Sequence, residues 1–316
     1  IGDVYRNQGR FEEAEPRYQA ALDILNQRLG PHHPTTAVAI NNLGELYLHQ
    51  GRYDDAERLH HRALRIWEAS LGPDHPTVST SLINLAEACR FLGRRHEAEA
   101  LCLRAMEIRR STFGPEHPFT AVLFNNRATL YFEDGAHDEA EPLFRKALDV
   151  YEENLGPNHP EVAKALNNLG LALSNQGMGM EAEPLFRRAI AIWESSTGLK
   201  HPDIASAINN LADVYHDQGD YAEAARLYRR SLRLEESLLG PKHPSLAVTL
   251  NNLAILYRLQ ARYDQALPLA TRALEIREDA FGEDHIEVAM SLDVLCSIHE
   301  DLGEVTVAME LCRRAL

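Results

Sequence analysis

The chain has 316 residues, 45% of them hydrophobic and 25% charged, with a formal net charge of −15. This composition belongs to a folded chain rather than a disordered one, and its acidity excludes nucleic acid as a general partner, because phosphate binding needs a basic surface. No run of about eighteen apolar residues occurs, so no membrane span is expected.

In chain order, the first distinctive stretch is Leu29-Gly30-Pro31-His32-His33-Pro34. It returns at Leu71, Phe113 and Leu155, with looser copies from Thr197, Leu239 and Phe281, always at a step of 42 residues. A second glycine series, Gly9, Gly51, Gly93, Gly135, Gly177, Gly219 and Gly303, falls halfway between. Together they place glycine at every twenty-first position from 9 to 303, with Ala261 the exception, and use 14 of the 18 glycines. Glycine just past a helix end adopts the left-handed conformation that closes the helix. The pattern therefore predicts helices of equal length, two per repeat. The expected organisation is one repeat array: a partial repeat 1–33, full repeats 34–75, 76–117, 118–159, 160–201, 202–243 and 244–285, and a divergent, truncated repeat 286–316. Stacked small units suit this length better than one compact core. Ile1 and Leu316 both fall inside helical patterns, so the sequence reads as part of a longer chain.

Within repeat 34–75, Pro34 suits the first helical turn, where its missing N–H costs nothing, and His33 takes the capping position. Ile40, Leu43, Gly44 and Tyr47 form one buried stripe, and Gly51 ends the helix. Asp54, Asp55 and Glu57 crowd the start of the second helix, where carboxylates favour the positive end of the dipole. That helix runs through Ala56, Leu59, Ala63, Leu64, Ile66 and Trp67 to Leu71, where Gly72 and Pro73 stop it. Small residues recur where the helices approach: Gly44 as Gly2, Ala86, Ala128, Gly170, Ala212 and Ala254, and Ala56 in every repeat.

This arrangement, written "LNNLxxLYxxQGRYxEAExLxxRALxIxExxLGPxHP", resembles the tetratricopeptide repeat in the long, 42-residue variety of kinesin light chains and of many bacterial proteins. The resemblance implies an all-α, right-handed superhelical solenoid of antiparallel helix pairs. It also implies a concave groove lined by the first helices, at positions equivalent to Val38, Asn41, Glu45 and Leu48. Departures from the pattern include Arg127 in a buried leucine position, Met178-Gly179-Met180 after Gly177, and Ile286 and Val294 in the last repeat.

Groove asparagines on this reading are Asn41, Asn125, Asn167, Asn209 and Asn251, interrupted by Ile83 and Asp293. A row of amides offers donors and acceptors to an extended peptide. Glu45, Glu87, Arg90, Asp213, Asp217 and Arg258 give the groove mixed charge, and Phe132 and Leu171 offer apolar anchors. The mixed charge does not supply the positive groove needed for the aromatic-among-acids peptides of kinesin light chains. A second asparagine series, Asn42, Asn84, Asn126, Asn168, Asn210 and Asn252, is expected to bond backbone between repeats.

The histidines before each repeat's first helix, His33, His75, His117, His159, His201, His243 and His285, lie one per repeat, too far apart to share an ion, and read as turn caps rather than a metal site. Cys89, Cys102, Cys296 and Cys312 occupy apolar helix positions and read as reduced, buried residues of a cytoplasmic protein. No phosphate loop, HExxH or GxSxG motif occurs, so neither an enzyme nor a cofactor is expected. The expected function is a protein-interaction scaffold that holds a peptide or partner helix in its groove. The alternative is a regulatory arm of a larger signalling NTPase or protease, contacting an adjacent domain of the same polypeptide.

Overall fold

The computed structural model describes residues 2–7, 11–196 and 201–315. The loop copy at Thr197 and the series members Gly9 and Gly198 lie outside the described residues. All regular structure among the described residues is helical. The chain divides into two compact units, residues 1–154 and 155–316.

In the first unit the helices run α1 (Gly2–Asn7), α2 (Phe11–Leu29), α3 (Pro34–His49), α4 (Tyr53–Leu71), α5 (Pro76–Phe91), α6 (Arg95–Phe113), α7 (Pro118–Glu133) and α8 (His137–Leu155). In the second they run α9 (Pro160–Asn175), α10 (Gly179–Ser196), α11 (Pro202–Asp217), α12 (Tyr221–Leu239), α13 (Leu246–Leu259), α14 (Tyr263–Phe281), α15 (Ile286–Asp301) and α16 (Val305–Ala315). Within α3 and α4, the Trp67 indole N–H donates to the Pro34 carbonyl at 3.2 Å, while His60 lies against Gly44. The end of α4 therefore meets the start of α3, so the pair is antiparallel.

Local sequence sets each helix end. The His33 Nδ1 accepts from the Thr35 backbone N–H at 3.2 Å. The same bond forms at His75, His117, His159, His201, His243 and His285. Except at His243, where the bond closes the turn before α13, these are side-chain N-caps, and they relieve one of the unpaired donors that every helix start leaves. At the other end of α3, Arg52 N–H bonds the Tyr47 carbonyl at 2.9 Å and Gly51 N–H bonds that of Leu48 at 3.1 Å. That is a Schellman turn, and it needs a residue with positive φ between the two donors. Gly51 supplies it at φ +74°, and Ala261 takes the same role at φ +55°.

The glycines after the second helices behave differently from expectation. Gly72 has φ 93° and ψ 155°, which is extended backbone of mirror-image hand rather than left-handed helix. Only glycine populates that region readily.

The core of each unit lies within and between the helix pairs. Ile40, Leu46, Leu82, Leu85 and Leu123 are fully buried in the first unit, as are Leu166, Leu173, Ile204, Ile208 and Tyr228 in the second. Arg127 is accommodated half-buried, its guanidinium facing Glu99 and the Tyr131 hydroxyl.

The cysteines correct the sequence reading in part. Cys89 and Cys102 are free and buried, and burial pushes both thiols up to about 11. Cys296 and Cys312, by contrast, form a disulfide that ties α15 to α16. They are separated by 16 residues along the sequence. This is the spacing at which an antiparallel helix pair of this length brings two side chains face to face, as Gly44 and His60 show.

Candidate functional site

The first helices of the first unit carry a connected polar network. The Asn41 amide donates to Glu45 at 3.1 Å, and the buried His60 ring bonds the Asn41 Oδ1 at 3.0 Å. Asn84 donates to the Asn41 Oδ1 at 3.2 Å and to Glu45 at 3.1 Å. Arg6 closes the network with an ion pair to Glu45. Burial first, and then the neighbouring His61, pushes the His60 pKa down to about 4, so this ring is neutral at pH 7.

The second unit repeats the design with different atoms. Asn210 donates to the Asn167 Oδ1 at 3.1 Å, and Asn252 donates to Asp213 at 3.2 Å. The Tyr228 hydroxyl also donates to Asp213. Burial pushes the Asp213 pKa up to about 6, against the lowering effect of Tyr228. Asn251 donates to the Ser291 hydroxyl at 3.1 Å, to which the buried Arg277 donates as well.

Asn84, Asn210 and Asn252 thus each bond their own repeat to the one before it. The acceptors are side chains on the preceding first helix, not the backbone that the sequence suggested. The first asparagine series divides by burial. Asn41, Asn209 and Asn251 are buried, whereas Asn125 and Asn167 are half-exposed. Asn125 belongs to the first unit and the other two, Asn209 and Asn251, to the second, with Asn167.

The remaining candidates sit closer to solvent. Glu87 and Asp217 are exposed, and Leu171 and Phe132 are half-buried, the Phe132 ring lying 4.9 Å from that of His137. Arg90 pairs with Glu133, and Arg258 meets Asp301 at 3.5 Å. Val38 and Val248, one in each unit, are both 47% exposed at the same position of the repeat.

Two cavities open on the first-helix face of the first unit. One, of about 430 Å³, is lined by Val38, Asn41, Glu45, Thr80 and Phe119 among others. The second, of about 200 Å³, is lined by Glu87, Arg90, Asn125 and Cys102 among others. Sequence reasoning found Asn41, Glu45, Glu87, Arg90 and Asn125 on these walls. It missed Cys102 on one of these walls, and His60 and Tyr228 in the polar networks, all three rising from the second helices. The available signal was their constant distance of 16 residues from a small residue on the first helix, Gly44, Ala86 and Ala212 respectively.

Overlapping matches to the tetratricopeptide repeat cover residues 1–58, 36–101, 80–153, 120–195, 161–237 and 203–279. The chain belongs to the tetratricopeptide repeat family. A search of curated protein sequences finds no match. Among solved structures, the chain is similar to BtubC (BKLC) from P. vanneervenii, at 24% identity and a TM-score of 0.60, over 73% of this chain and 92% of that one. It is similar to a putative kinesin light chain from Podosopora anserina with nearly identical TPR-like repeats, at 24% identity and a TM-score of 0.53, over 66% and 98%. A Rap protein complexed with Competence and Sporulation Factor matches at 15% identity and a TM-score of 0.64, over 99% and 92%. At these identities the likeness is one of fold. Among the described residues, no helix is long and apolar enough to cross a membrane.

Proposed function

We propose that this tetratricopeptide chain is a non-catalytic interaction scaffold whose first-helix face binds an extended or helical segment of a protein partner. The observation that carries this reading is the pair of cavities on that face of the first unit, whose walls hold Asn41, Glu45, Glu87, Arg90 and Asn125. Concave, mixed polar and apolar walls suit a ligand that contributes side chains to pockets and backbone groups to amides. Asn167 offers a half-exposed amide on the corresponding helix of the second unit. The Rap protein captured with Competence and Sporulation Factor is a protein of similar fold with a bound factor, which is consistent with this use of the scaffold.

The test selects short random peptides on the wild-type chain and measures their affinity for two variants. One is Glu87→Ala with Asn125→Ala, and the other is Asn167→Ala with Asn209→Ala. At least one variant should weaken binding about tenfold at an unchanged melting temperature, as expected when one or two hydrogen bonds are lost. Undiminished binding to both would remove this face as the interface. A large loss of stability in the second variant would make those asparagines structural.

A further inference from the structure

In most repeats a ring follows the small residue of the first helix by 16 positions. Tyr18, His60, Phe144, Phe186 and Tyr228 stand opposite Gly2, Gly44, Ala128, Gly170 and Ala212. The rings fill the space beside the first helix: a Cβ on Gly170 would lie 2.8 Å from the Phe186 ring, and Phe186 and Tyr228 are fully buried. In repeat 76–117 the pair is Ala86 and Cys102. The thiol stops short of the volume a ring would take, and a cavity of about 200 Å³ opens over it, reaching from α5 to α7. Ala86, Cys102 and Leu130, each at most 5% exposed, form its apolar floor. Ala270 and Cys312 are the other short residues at this position, but Ala270 is wholly buried and Cys312 is tied to Cys296 by the disulfide.

The mouth of the cavity carries charge that is unevenly engaged. Arg90 pairs closely with Glu133 and lies over the Phe91 ring at 4.0 Å. Glu87 meets Arg90 only at 3.9 Å, and its side chain is 49% exposed. Its carboxylate therefore has room for a second cation, beside a hole with an apolar floor and a rim made polar by Asn125, Asn126 and Thr129.

We infer that this cavity is an anchor site for an aromatic side chain of the partner segment, with a cationic group next to the ring held by Glu87. The inference rests on the first-helix face being the binding face. The chain itself supplies the fit, because its own phenylalanines occupy the equivalent space in repeats 118–159 and 160–201. The charge preference comes from Glu87, since Arg90 is already neutralised by Glu133.

The experiment needs no identified partner. The probes are 4-fluorobenzylamine, a ring with a cation, and 4-fluorophenylacetate, a ring with an anion, titrated into the full chain and followed by fluorine NMR. The amine should bind about fivefold more tightly than the acid, the effect of one partly exposed charge pair, with ring-to-methyl NOEs at Leu130. Glu87→Gln should bring the two probes to similar affinity. Cys102→Phe restores the ring that other repeats carry and should weaken the amine about tenfold or more without lowering the melting temperature; Cys102→Leu serves if that variant does not fold. Equal affinity of the two probes for the wild type, or undiminished binding to the filled variant, would overturn the assignment. Peptides selected on the wild type separate this idea from the reading beneath it. If they still bind Cys102→Phe while the amine is lost, the anchor site is wrong and the binding face stands.

Discussion

A Cβ added to Gly44 would lie 2.7 Å from Cε1 of His60. The helices α3 and α4 are therefore as close as they are because position 44 has no side chain and position 60 has a ring. Gly44→Ala forces one of them to move, at a cost of about 1–3 kcal/mol. Adding His60→Ala should return part of that loss, since Ala254 and Ala270 already form such a pair in another repeat. A double-mutant cycle by urea unfolding measures the coupling. Strictly additive effects would show that the ring does not set the helix separation.

Buried titratable groups give the two units opposite responses to acid. The His60 pKa is near 4 in the folded chain against a usual 6.5. Unfolded chain therefore binds the extra proton between those values, so this contribution is complete above pH 6.5 and lost as pH falls towards 4, by about 3 kcal/mol at most. Asp213 is shifted the other way, from 3.8 to about 6. It holds its proton in the folded chain while the unfolded one has released it, so its contribution is present below pH 3.8 and lost as pH rises through 6. Glu235, raised by burial to about 6, acts in the same sense. His60→Phe should flatten the dependence of melting temperature on pH between 4 and 6.5, and Asp213→Asn should steepen the decline on acidification. Parallel pH curves for wild type and both variants would contradict the assignment.

Much of this was legible in the sequence, and the reason is periodic. The 42-residue step placed the helices, the glycines placed their ends, and the histidine caps followed from His33 standing before Pro34. The candidate site was less legible because a linear pattern shows which helix face a residue occupies but not what fills the space beside it. Asn41 has the spacing of a groove residue, yet it is 4% exposed because His60 and Asn84 close over it. Nothing in the first helix alone announces that. The disulfide was hidden for the same reason, since its partners meet only when two helices are folded back on each other.

Ala261 is the one alanine where the series has glycine, and it bears a positive φ of 55°. An L-residue with a Cβ is strained there by about 1–2 kcal/mol. Glycine removes the strain but adds freedom to the unfolded chain. Ala261→Gly should therefore stabilise the α13–α14 pair by about 0.5–1 kcal/mol, seen as a higher melting temperature. The reverse change, Gly219→Ala, at φ 79°, should destabilise. If both substitutions moved stability the same way, the strain argument would fail.

The disulfide between Cys296 and Cys312 closes a loop of 16 residues at the α15–α16 pair. By loop-closure entropy, a cross-link of this span stabilises by roughly 3 kcal/mol. In a stack where each unit touches its neighbours, that stabilisation is felt locally. Reduction with a phosphine should therefore leave the amide protection of α3 to α6 unchanged and lower that of α16, whose Val305 and Met309 are already about 60% exposed. Cys312→Ser should reproduce the reduced state without any reductant. Thiol titration of the native chain distinguishes the cysteines: Cys89 and Cys102 stay unreactive, since burial holds both near 11, while the pair on α15 and α16 reacts only after reduction. Equal α16 protection in the oxidised, reduced and Cys312→Ser forms would mean that helix packing alone, through Ala308 and its neighbours, holds the last pair together.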